Sequence, residues 1–162
     1  MGIYLSRDYI DWIDGVKVLQ KCAVVNGDGK ILALKRNDDD YSRPGKWDLP
    51  GGNLDAEDIS RWKKGSGKGD EDDILVRAMK REVEEETGLK VMKGSIKPDL
   101  SASGFNEGKK ILVIAIGYQC RVSDEEVKLS HEHQDFKWIS KEKFMEMDVG
   151  EDGGFIKAIL GN

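Results

Sequence analysis

The residues Arg81-Glu82-Val83-Glu84-Glu85-Glu86-Thr87-Gly88-Leu89 hold the densest concentration of chemistry in the chain. Glu82, Glu85 and Glu86 are spaced i, i+3, i+4, so in a helix they project from one side, within an arc of about 100°. Leu75, Val76, Met79 and Val83 fill the adjoining arc as an apolar stripe, and Arg77, Lys80 and Glu84 form a solvated back face. The three carboxylates therefore sit at the edge of the buried stripe, where a cleft can form. Like charges at i,i+4 weaken a helix, and partial burial raises that cost. A hard divalent cation relieves it, because carboxylate oxygens are the donors that Mg²⁺ or Mn²⁺ prefers. A cation held there can bridge phosphate oxygens, polarise phosphorus and help ionise a water. Arg81 stands four residues before Glu85 and can orient it. In isolation an E-x-x-E-E cluster also fits an ordinary solvated helix face, so its surroundings must decide.

The helix that positions these groups is expected over residues 72–87, with acidic residues crowding its first turn and Gly88 ending it. Ahead of it, Val16–Val25 reads as a strand, Asn26-Gly27-Asp28-Gly29 as a turn, and Ile31–Arg36 as the returning strand. Residues 37–46 form a polar loop. Trp47–Leu49 is a short strand stopped by Pro50-Gly51-Gly52. Residues 53–71, with Gly65, Gly67, Gly69 and the cluster Arg61, Lys63, Lys64, Lys68, read as an inserted surface loop around a single aromatic, Trp62. After the helix, residues 89–101 are extended and residues 109–122 form an apolar strand, expected to be central. Phe136–Ile139 is a short strand, Ser140 caps a helix over Lys141–Met147, and Gly154–Leu160 adds a last helical turn or two. Many strands with one long and one terminal helix imply α+β architecture, with helices packed on a mixed sheet.

Composition narrows the class of function. The 162 residues suit one domain. A net charge of −5 argues against stable nucleic-acid binding, but not against a small anionic substrate beside a bound cation. Cys22 and Cys120 lie in strand-like runs without metal spacing, and read as buried reduced thiols. Residues 1–10 carry Ser6, Arg7 and Asp8 where a signal peptide needs an apolar core, and no apolar run approaches the ~20 residues of a membrane span. A cytoplasmic protein with no membrane contact is expected.

Residues 81–89 match the second half of the pattern G-x5-E-x7-R-E-U-x-E-E-x-G-U, where U is bulky and apolar, and Trp47-Asp48-Leu49-Pro50-Gly51-Gly52 is similar to its opening strand and glycine turn. On these blocks the chain resembles the Nudix hydrolases from about Lys21 to Ile139. The resemblance implies a single domain over residues 1–162, folded as a Nudix α/β/α sandwich. The first 15–20 residues would be an extension and residues 53–71 an insertion inside the box. It further implies that Glu82, Glu85 and Glu86 bind Mg²⁺ (or Mn²⁺), with Glu85 and Glu86 foremost, that Arg81 orients them, and that the Gly51 turn brings backbone to the metal. Two departures stand out. Counting back from Arg81 places Asp73 where the pattern has Glu, and the gap from Gly52 to Asp73 encloses twenty residues instead of five. Glu132, in a downstream segment similar to a common Nudix loop, matches a further metal ligand or general base, a role for which Glu82 is the other candidate. His131 and His133 read as exposed polar residues.

The reaction implied is attack of a metal-activated water on a diphosphate in a small-molecule nucleotide. A nucleoside triphosphate is favoured by the compact chain. ADP-ribose is the alternative, and an N-terminal arm exchanged in a homodimer would favour it. Arg36, Trp62 and Phe105 (placed in a loop) are candidates for substrate contact, with Tyr4, Tyr9 and Trp12 behind them. A module that binds nucleotides without cutting them, or an isomerase acting on a diphosphate ester, would be of another class.

Overall fold

A computed structural model describes residues 13–61 and 73–161. Alternation along the first two strands builds the layers. In β1 (Gly15–Val25) and β2 (Ile31–Arg36), Cys22, Val24, Leu32 and Leu34 face one side, while Ala23, Ile31 and Ala33 face the other. Successive strand residues point to opposite faces, and here both faces are covered. The remaining strands are β3 (Trp47–Asp48), β4 (Lys97–Asn106), β5 (Ile111–Arg121) and β6 (His133–Ile139). The mixed sheet runs β3-β2-β1-β5-β4, and β6 also pairs with β2. β1 and β5 are parallel, from Gly15 opposite Ile111 to Val25 opposite Arg121, and the other pairings are antiparallel. β5 is an inner strand, between β1 and β4, while the centre of the order is β1 and not the apolar run expected there.

Helix α2 (Ile74–Thr87) covers one face, burying Met79 and Val83 against Cys22, Val24, Leu32 and Leu34. Helices α3 (Lys141–Met145) and α4 (Gly154–Gly161) cover the other, where Phe144, Ile156, Ile159 and Leu160 pack on Ala23, Ile31 and Ala33. The result is the expected three-layer α/β/α arrangement. Ser140 caps α3 by accepting from the Lys143 N–H. Gly88 ends α2 in the left-handed conformation at φ 70°, which favours glycine.

Several expectations change. The segment 53–71 is not all loop: Ala56–Ser60 forms a short helix, α1, opened by a capping box in which Asp55 and Asp58 satisfy each other's backbone N–H. Asn53 also bridges to Leu19. The first turn of α2 holds no acid. Asp73 precedes it as the N-cap, its carboxylate accepting from the N–H groups of Leu75 and Val76. Phe105 is in β4 and not in a loop. His133 is buried, 7% exposed. Trp62, Tyr4, Tyr9 and Trp12, with the lysines of the insertion, lie outside the described residues. Among the described residues no helix is long and apolar enough to cross a membrane.

Candidate active site

The Pro50–Gly52 segment docks along β1. The Cys22 N–H donates to the Pro50 carbonyl and the Gln20 N–H to the Gly52 carbonyl, both at 2.8 Å. Only glycine fits at 51: φ is 139°, and a Cβ would stand 2.2 Å from the Gln20 carbonyl oxygen. The turn then aims the Gly51 N–H at α2, where it donates to Glu86 Oε2 at 2.8 Å. At Gly52 the neighbour is the Glu82 carboxylate, 2.8 Å from where a Cβ would be. Gly52→Ala is therefore expected to push Glu82 aside and depress metal-dependent turnover, with little change in melting temperature in chelator. Parental turnover in this variant would remove Glu82 from the site.

The turn, α2 and the loop before β6 enclose a cleft of about 360 Å³. Glu82, Glu86 and Glu132 line it, together with Gly51, Gly52, Arg36 and Arg43. Backbone bonds fix the loop: the Ser130 N–H donates to the Glu86 carbonyl, and the Lys128 N–H to that of Thr87. Glu85 is not part of this lining. It is exposed, and its carboxylate accepts from Arg81 Nη1 at 2.9 Å on the outer side of α2. Phe105 is also outside the cleft, in a neighbouring hollow on β4 and β5. Phe155 of α4 lines both. Helical spacing puts the three glutamates on one side; in the fold Glu82 and Glu86 line the cleft and Glu85 does not.

Arg81 is the hub of the helix side. Its Nε and Nη2 donate to the two oxygens of Asp58 at 3.0 and 2.9 Å, and Nη2 also lies 2.9 Å from Glu82 Oε1. Hydrogen bonding to Asp58 comes first among the causes that, against burial, raise the Arg81 pKa above its ordinary value. Asp58 was overlooked in the sequence. Counting forward from Gly52 through five residues reaches it, so the long gap falls between Asp58 and Arg81 and not after the glycine. Asp73, matched by counting back, is a helix cap instead.

The electrostatics divide the cleft. Burial pushes the Glu86 carboxyl up to about 8, with the charges of Glu82 and Asp48 adding to the shift and Lys21 and the Gly51 N–H opposing it. Burial likewise raises Glu82. Across the cleft, burial opposes the charge on Asp48, yet Lys21, Arg43 and Arg36 together hold its carboxyl below the usual range. Lys21 Nζ and Arg36 Nη1 reach Asp48 Oδ2 at 2.8 and 2.9 Å, and Arg43 pairs with the same oxygen. Burial, then Lys21, lowers the pKa of His133, whose Nδ1 has no hydrogen-bond partner.

The donors fit a hard divalent cation. Glu82 and Glu86 are half-buried to buried carboxylates whose ionisation burial opposes, which a cation would reverse. Among the described residues no three side chains of His, Cys, Asp or Glu already surround one point. Glu82 and Glu85 are held by Arg81, and Glu86 by Gly51, so side-chain rotation must complete a ligand set.

Comparison with known proteins then decides the family, since the NUDIX domain model matches residues 20–159. The chain belongs to the Nudix family. It is a Nudix hydrolase by domain and by relatives. The nucleoside triphosphatase NudI of Escherichia coli O139:H28 is 29% identical over 135 residues, covering 79% of this chain and 85% of that protein. The MutT protein of Methanosarcina mazei superposes with a TM-score of 0.64 at 26% identity, over 91% of both chains. The NUDIX domain of Shewanella oneidensis NrtR, solved with ADP-ribose, shares the fold at a TM-score of 0.59 and 16% identity, over 88% of this chain and 87% of that one.

Proposed function

We propose that this Nudix hydrolase uses Mg²⁺, or Mn²⁺, to cleave a diphosphate bond in a nucleoside triphosphate. The observation that carries the reading is the cleft itself: it is lined by the half-buried Glu82, the buried Glu86 and the guanidinium groups of Arg36 and Arg43. The carboxylates suit a metal and the guanidinium groups suit phosphate oxygens. The similarity to NudI, named a nucleoside triphosphatase, supports the triphosphate over ADP-ribose.

Glu82, Glu86 and Glu132 would hold the cation. Glu85, exposed and outside the lining of the cleft, would join only by rotating into it, so it ranks below Glu86. When bound, Mg²⁺ supplies Lewis-acid polarisation of phosphate oxygens and lowers the pKa of a water. Arg81 fixes the rotamer of Glu82 from behind, braced by Asp58. Arg36 and Arg43 grip the phosphate chain and stabilise the charge that builds on it. Glu132 and Glu82 remain the two acceptors for the water proton. Phe155, between the cleft and the hollow of Phe105, offers a face for the base. The buried thiols Cys22 and Cys120 and the reading as a whole suit a cytoplasmic setting.

The deciding experiment measures phosphate and pyrophosphate release from nucleoside triphosphates, ADP-ribose and dinucleotide polyphosphates, with Mg²⁺ or chelator and with Glu86→Gln as blank. Release only with Mg²⁺, greatest for a triphosphate and absent in the blank, is the expected result. Tight nucleotide binding without release from any compound would favour a binding module instead.

A further inference from the structure

β1 carries two lysines of opposite fate. Lys17 is exposed, whereas Lys21 is only 4% exposed. A buried lysine must saturate its three donors. Lys21 Nζ does so with Asp48 Oδ2 at 2.8 Å, the Gly51 carbonyl at 2.9 Å and the Leu49 carbonyl at 3.2 Å. Two of these acceptors flank Pro50, so the ammonium clamps the turn that presents the Gly51 N–H to Glu86. The third is the carboxylate that also anchors Arg36 and Arg43. Lys21 thus links the turn beside Glu86 to the carboxylate that anchors Arg36 and Arg43, and its charge acts favourably on Glu82 and Glu86. The Gly51 carbonyl, part of the turn that the family resemblance brings to the metal, already accepts from a cation.

We propose that Lys21 is a resident cation of the metal site, a positioning residue that holds the Leu49–Gly51 turn and supplies part of the positive charge facing Glu82 and Glu86. This rests on the metal-binding reading of the cleft. It has a specific consequence: the ammonium keeps the site assembled without metal, and it also repels an incoming divalent ion. Removing the charge therefore weakens the metal-free protein and strengthens metal binding. A lysine that merely fills space and satisfies carbonyls would weaken the protein equally with and without metal.

The test compares the parent with Lys21→Met and Lys21→Arg. Mn²⁺ affinity is measured by titration, and melting temperature with Mg²⁺ or chelator. Lys21→Met is expected to bind Mn²⁺ on the order of tenfold more tightly, as loss of a nearby like charge implies. Its melting temperature should rise more on adding Mg²⁺ than the parent's does, because the gain follows affinity for the folded state. Lys21→Arg should keep the parental affinity and rise. Should Lys21→Met not fold, Lys21→Gln, which keeps a donor without the charge, is read the same way. Unchanged or weaker Mn²⁺ binding in the uncharged variant would overturn the proposal while leaving the metal site standing. No Mn²⁺ binding by the parent would overturn the metal reading itself, and the role of Lys21 with it.

Discussion

Glu86→Gln should fold normally and lose metal-dependent turnover by on the order of 10²–10³-fold, the scale on which a single group that stabilises transition-state charge acts. The amide keeps the size of the side chain and can still accept from the Gly51 N–H, so the turn has little reason to move. What it removes is the negative charge. The same change should alter how stability depends on pH. The folded protein keeps the Glu86 proton up to about 8, while the unfolded chain releases it near 4.5. Across that window the unfolded state binds fewer protons, so folding stability falls as pH rises. In chelator the parent should melt at progressively lower temperature between about pH 4.5 and 8, and Glu86→Gln should show a flatter profile. Mg²⁺ should flatten the parental profile too, because a cation favours the carboxylate. Full turnover with unchanged metal dependence would exclude Glu86 as a ligand, and identical pH profiles would exclude it as a buried acid.

Asp48→Asn should be the most destabilising change at the site. Asp48 is fully buried, and one of its oxygens meets Lys21, Arg36 and Arg43. Replacing a buried pair with apolar groups can be harmless, but removing one partner strands the other. Here a single carboxylate balances several cations, and Asp40 offsets only Arg36. We expect a loss of about 3–5 kcal/mol, read as a lower urea midpoint with an unchanged slope. Cutting the solvent-exposed pair Lys46–Asp148 by Lys46→Met should barely move the midpoint. Equal effects of the two substitutions would mean that Asp48 is not the keystone of the basic wall.

Much of the frame can be read from local pattern. The Asn26–Gly29 turn signal delimits β2 at Ile31–Arg36, as found, and the apolar run before Val122 locates β5, an inner strand. The Nudix box yields Glu82, Glu86 and the Gly51 turn because its spacing encodes one helix and one turn. Other features depend on partners far along the chain. Lys21 sits in a run that reads as an ordinary strand, and only the return of Asp48 and Gly51 gives its charge a buried home. His133 is buried for a similar reason, since its position in β6 pairs it with Arg36 of β2. α1 is short and glycines follow it, so composition hides it. The Asp55-x-x-Asp58 spacing was the available sign, a capping box with an acid in place of the usual residues. Glu85 shows the limit of a helical wheel: it shares an arc with Glu82, and both pair with Arg81, yet only Glu82 lines the cleft.

The fork of Arg81 on Asp58 ties the middle of α1 to the middle of α2, on either side of residues 62–72 in the sequence. Both anchors are thereby fixed independently of the chain that joins them. Closing a connection costs entropy only as about the logarithm of its length, so doubling it adds roughly 0.6 kcal/mol. The sequence between the two anchors can therefore be lengthened, shortened or exchanged without resetting the carboxylates that Arg81 holds.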